Sequence, residues 1–236
     1  MSGLTIFRRT FHDSRKAALG IGLGGAIMAI WVTAFFPTFK GFDEFNQLLE
    51  NPVISALVGD IGDYTTPEGF LGSEFFGFMP LFLACYTVVV GLGIIGSEEV
   101  AGRLDVLLST PVPRWRIILE KFLAYVVVYL AILAMMFLGF VLILALMPEV
   151  EIAIGRVGEG VLNLLPALLV TTALPLLLTT LVRGRGTAGA IAGAIIVASW
   201  FITALADLAP DVLGTIQYLS LFTFYNSFAV LSRGIQ

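Results

Sequence analysis

The sequence predicts an all-α fold, a polytopic bundle of transmembrane helices, on three grounds. Of its 236 residues 58% are apolar and only 13% charged, with a mean hydropathy of +0.97, far from the balance of a water-soluble domain. Apolar runs that can cross a hydrocarbon layer recur along the chain, each needing roughly 20 helical residues for about 30 Å. Their apolar positions are continuous, whereas the strands of a membrane barrel would be half as long and would alternate with a period of two.

Five spans are visible, over residues 17–36, 75–96, 117–147, 161–182 and 187–206 of one transmembrane domain, 17–236. Ahead of them, residues 1–16 read as an interfacial amphipathic helix. Leu4, Phe7, Phe11 and His12 face lipid there, and Arg8, Arg9, Arg15 and Lys16 face anionic headgroups. The first span carries Gly20 and Gly24, the fifth Gly189 and Gly193, and small residues four apart let two helices approach closely in lipid. In the loop after the first span, Phe42, Phe45, Leu48 and Leu49 fall at helical spacing before Asn51-Pro52, which predicts a short helix on the outer surface. "TTPEG", Thr65 to Gly69, reads as a turn leading to the second span. Pro166 and Pro175 should kink the fourth span, which places it among the other helices, because neighbours must sustain a kink in lipid. "RGRG", Arg183 to Gly186, is a tight turn into the fifth span, and residues 207–236 form an outer segment.

Charge placement sets the orientation. With the N-terminus cytoplasmic, Arg8, Arg9, Arg15, Lys16, Arg103, Arg114, Arg116, Lys121, Arg183 and Arg185 lie inside, and only Lys40, Arg156 and Arg233 lie outside. The expected location is the plasma membrane. Arg116 and Lys121 are placed to snorkel toward inner headgroups.

Several chemistries are excluded by composition. One cysteine, Cys85, and one histidine, His12, leave no metal site and no catalytic triad, so no catalytic residue is assigned. No phosphate-cradling loop of the form G-x-x-x-x-G-K-[ST] occurs, so ATP and Mg have no site in this chain, and no basic aromatic surface invites nucleic acid. The span interiors lack the ionisable groups of proton or sodium relays. "EEVAGR", Glu98 to Arg103, resembles the E-E-x-x-x-R signature of intramembrane glutamate proteases, but the later histidines that such enzymes need to position water are absent. A non-transporting assembly protein would also satisfy hydropathy and charge bias. The aromatics Phe75, Phe76, Phe78, Phe82, Trp200 and Phe201 suit amphipathic cargo and suit packing or lipid contact equally, so the substrate stays unassigned.

Most of the chain's chemistry lies between the second and third spans, in "GSEEVAGRLDVLLSTPVPRWRIILEK", Gly96 to Lys121. Val100, Leu104, Leu107 and Leu108 fall at i, i+4, i+7 and i+8, one apolar stripe. Glu99 and Arg103 are spaced i, i+4 with the acid first, the favourable order. Pro111 and Pro113 stop that helix, and another begins near Arg114, giving an elbow over residues 97–116. Glu98, Glu99, Gly102, Leu104, Leu107, Leu108, Pro111, Arg114 and Lys121 make this stretch resemble the first cytoplasmic connection of permease subunits of ABC-2-type ABC transporters. In that family it is the coupling helix that docks on the ATPase.

The resemblance implies an exporter permease with Glu98, Glu99, Arg103, Leu104, Leu107, Leu108, Pro111 and Arg114 on the ATPase. It also implies an ABC ATPase subunit dimer that binds ATP and Mg, and a second permease subunit, the same chain or a similar one. Family members have six spans, so "FTFYNSFAVLSRGIQ", up to Gln236, reads as the lead-in to a sixth.

Overall fold

A computed structural model describes residues 5–40, 66–100, 114–206, 216–223, 225 and 227–234. Among these the chain is helical almost throughout and has no strand, and five helices are long and apolar enough to cross a membrane. The elements are α1 (Thr5–Lys40), α2 (Pro67–Leu71) running into a π-helical turn (Gly72–Phe76), α3 (Met79–Val100), α4 (Arg114–Leu146), α5 (Ile154–Leu181), α6 (Arg185–Leu205), a 3₁₀ turn (Gln217–Leu219) and α7 (Ser227–Arg233).

The most extensive pairing joins α1 to α4. With 36 and 33 residues, and 1.5 Å of rise per residue, they are about 54 and 50 Å long. They run parallel: Gly22 lies against Met135, Gly25 against Met136, and Gly139 against the backbone of Ala26. Ala18, Gly22, Gly25, Ala29, Val32 and Phe36 are buried along α1 in steps of four and three, a coiled-coil seam. Gly20 and Gly24, the spacing that stood out in sequence, face open space instead. Two residues of helix turn a side chain by roughly 200°, which puts that pair opposite the seam. No break separates residues 5–16 from the span, because α1 is one helix.

α5 is the central element and packs on α3, α4, α6 and α7. Its interior holds both Pro166 and Pro175, in line with the placement their kinks suggested. The tightest part of the core is aromatic: Phe75, Phe76 and Phe140 are fully buried, with Phe140 4.8 Å from Phe75 edge-on and 5.7 Å from Phe76 stacked, ring centre to ring centre.

"TTPEG" is not a turn but a helix start. Thr66 accepts a hydrogen bond from Gly69 N at 3.2 Å and Pro67 occupies the first turn, so helix begins ahead of residue 75. A Thr cap followed by Pro at the first helical position was legible in the sequence. At "RGRG", Gly184 takes φ +98°, a left-handed conformation that favours glycine, and α6 starts directly after it.

Candidate functional site

The start of α4 lies at the same end of the bundle as the start of α1, because the two helices are parallel, and the end of α3 joins them there. This end is the proximal pole, and the opposite end the distal pole. α3 continues to Val100 and α4 begins at Arg114, so the two helices bracket the connection on which the expected site falls. Glu98 and Glu99 occupy the last turn of α3, and Arg114 is the first residue of α4. Arg103, Leu104, Leu107, Leu108 and Pro111 lie outside the described residues.

Immediately before that connection, four consecutive residues of α3 meet three helices. A Cβ on Gly91 would stand 2.4 Å from the Thr172 carbonyl and 2.6 Å from Pro175 Cγ, so only glycine permits the approach of α3 to α5 there. Leu92 packs on Gly189 of α6, whose own Cβ would meet it at 2.9 Å. Beside Gly93 lies the guanidinium of Arg185, 4.0 Å from where a Cβ would be. The Ile94 carbonyl accepts a hydrogen bond from Lys121 Nζ of α4 at 2.9 Å.

Lys121 does not snorkel. It is buried, 7% exposed, and donates into the bundle. A buried ammonium is stable only with polar partners, and the Ile94 carbonyl is one of them. One turn away, Arg116 Nε donates to Glu120 Oε1 at 3.0 Å, and Trp115 is exposed beside it, as an interfacial indole should be. Sequence reading placed Lys121 in the motif yet sent its side chain to the headgroups, because nothing local reveals which face of a uniformly apolar helix is inward.

Deeper in the spans, hydroxyls join the helices. Tyr129 and Thr172 share a hydrogen bond of 2.5 Å between α4 and α5, and Thr87 of α3 donates to Thr171 at 2.9 Å. Thr171 and Thr172 also bond back to Ala167 and Leu168 carbonyls, as hydroxyls do inside membrane helices. These four residues were missed in sequence, although "TT" at 171–172 inside an apolar run was a usable signal.

At the distal pole, aromatic donors close the structure. Trp200 Nε1 donates to the Gly77 carbonyl at 3.1 Å, and Tyr225 Oη to the Phe76 carbonyl at 2.9 Å, both at the end of the π-helical turn. Burial holds the Tyr225 pKa well above the ordinary tyrosine value, which keeps it a donor. Ser220 accepts from Phe222 N and donates to the Ser199 carbonyl at 2.8 Å, fastening the outer segment to α6. Of the aromatics weighed as cargo contacts, Phe75 and Phe76 are core, Trp200 is a packing donor, and Phe78, Phe82 and Phe201 face outward. The only histidine, His12, is exposed beside Asp13 at 3.8 Å near the start of α1.

The chain matches the family model described as ABC-2 family transporter protein over residues 4–230. No curated protein and no solved structure matches it.

Proposed function

The chain belongs to the ABC-2 family of transporter proteins, a membrane transport component and not itself the ATPase, and from that premise we propose that it is the membrane-spanning permease subunit of an ATP-driven exporter. The match over residues 4–230 carries the reading, and the bracketing of 101–113 by two long helices supports it. ATP and Mg are bound by a separate ATPase dimer, and a second permease subunit completes the path. The proximal pole faces the cytoplasm of a plasma membrane, where Arg8, Arg9, Arg15, Lys16, Arg116, Arg183 and Arg185 among the described residues satisfy the positive-inside bias.

Coupling is mechanical in this scheme. Leu107 and Leu108 fill an apolar groove on the ATPase, the flanking charges Glu98, Glu99, Arg103 and Arg114 set the register, and Leu104 and Pro111 belong to the same contact. Closure of the ATPase on ATP pushes the connection, and α3 and α4 carry the push into the bundle. Reversing two charges tests this: Arg103→Glu with Arg114→Glu should abolish substrate-linked ATP hydrolysis in the purified complex while the chain still inserts in the membrane. Normal coupled turnover in that double variant would sink the docking assignment.

A further inference from the structure

Because α1 is a single helix, its basic residues are carried inward along the bundle. Its contacts set Gly22 against Met135, Gly25 against Met136 and Ala26 against Gly139, so Arg8 stands about level with Lys121 of α4, and Lys16 about level with Tyr129. Bonds from Lys121 to the Ile94 carbonyl and between Tyr129 and Thr172 tie the same two levels to α3 and α5. Between those levels the other helices turn apolar side chains outward: Leu123 and Val127 of α4, Val89 of α3 and Leu177 of α5 are exposed. α1 instead exposes Arg8, Arg9, Arg15 and Lys16.

An in-plane helix over residues 1–16 would keep all four cations at the headgroups. The single helix takes Lys16 about 12 Å further into the apolar belt than Arg8. The side chains of Arg15 and Lys16 lean toward the helix N-terminus and so toward the proximal pole, which shortens this depth without cancelling it. Asp13, the only acid in residues 5–16, pairs with Arg9 at 3.8 Å. Among the described residues, Arg8, Arg15 and Lys16 have no such pair. Cations at membrane depth need an anion or a hydrated surface in front of them. The face that bears them continues distally: Leu19 follows Arg8 and Arg15 at helical spacing, and Leu23, Ile27 and Trp31 follow at steps of four, all exposed. From Leu19 to Trp31 this ridge is about 18 Å long, comparable with one leaflet's half of a hydrocarbon core about 30 Å thick.

We propose that this outward face of α1 holds an anionic phospholipid of the proximal leaflet. Its phosphate is drawn inward from the headgroup plane to Arg8, Arg15 and Lys16, and one chain lies along Leu19, Leu23, Ile27 and Trp31. The bound headgroup neutralises cations that would otherwise face hydrocarbon, and the leaflet is thinned beside α1. The site needs only the membrane-spanning fold and does not depend on what docks at the connection.

The test uses the purified full chain in neutral detergent micelles, titrated with phosphatidylglycerol carrying brominated chains, whose bromines quench the exposed Trp31 on contact. Phosphatidylglycerol should quench at concentrations where phosphatidylcholine with the same chains does not, and Trp31→Phe should remove most of the quenching. Arg15→Gln with Lys16→Gln should raise the lipid needed for half-quenching roughly 30-fold. Arg183→Gln with Arg185→Gln, which removes the same charge at the same pole, should leave it unchanged. Equal quenching by the two lipids would overturn the site, and so would an equal loss in both double variants, which is the mark of diffuse surface charge. Inorganic phosphate that displaces the lipid at the lipid's own concentration would reassign the cations to a free anion and overturn the lipid. The comparison of the two lipids is made on the unmodified chain, so it decides even where a double variant fails to fold.

Discussion

The two ends of α3 are held by different combinations of contacts. At the distal pole the chain before it is fixed by side-chain donors aimed at backbone oxygens, Trp200 on Gly77 and Tyr225 on Phe76. At the proximal pole the helix is fixed by the absence of a side chain at Gly91, which lets it approach α5, and by one ammonium on Ile94. Donor–acceptor bonds in an apolar medium fix distance and angle, whereas a glycine contact fixes only proximity and leaves rotation free. The contrast suits a helix that is anchored at one end and swivels at the other.

Breaking the proximal contact should cost most. Gly91→Ala places a methyl group 2.4 Å from the Thr172 carbonyl, and neither partner is a flexible side-chain tip, so α3 and α5 must separate. A loss of about 3 kcal/mol is expected, at the upper end for overpacking. Thermal unfolding in detergent micelles, followed by tryptophan fluorescence, measures it, and an unchanged Tm would contradict the close approach.

Gly139→Ala comes next. Its methyl would meet Ala26 backbone atoms at 2.7 and 2.8 Å, and about 2 kcal/mol should be lost as α1 moves off α4.

The distal donors should matter less. Trp200→Phe keeps a ring and removes the bond to Gly77, which should cost about 1 kcal/mol. Tyr225→Phe should cost about the same and, if the ends differ as described, should leave coupling of ATP hydrolysis to transport untouched. Loss of coupling in Tyr225→Phe would erase the distinction between anchor and swivel.

No loss is expected at Gly20→Ala, whose methyl meets nothing within 4 Å. There the change should be neutral or stabilising, by at most about 1 kcal/mol, from helix propensity alone. A Tm drop would mean that the outward face of α1 is covered by another chain in the micelle.

Much of this architecture was legible beforehand, and the reasons are specific. Length and hydropathy pointed to five spans, and five such helices occur among the described residues, since a hydrocarbon layer imposes a minimum run of apolar residues whatever the fold inside it. Pro166 and Pro175 marked α5 as interior. At Thr66 the sequence suggests a turn where the structure starts a helix, although the Thr cap and the Pro after it are a helix signal. What could not be read was direction around each helix axis. In α1, Gly20 and Gly22 differ in role although both sit among apolar neighbours, because the lipid face and the core face have the same composition. The inward turn of Lys121 was hidden for the same reason, and its acceptor lies 27 residues away on another helix.

Cys85 sits midway along the second span, exposed on the flank of α3 and the sole thiol of the chain. A reagent must therefore dissolve in hydrocarbon to reach it: a lipophilic maleimide should modify the intact protein once, and a sulfonated one should leave it alone until the bilayer is stripped away. The molecule carries its own depth gauge, and one mass spectrum reads it.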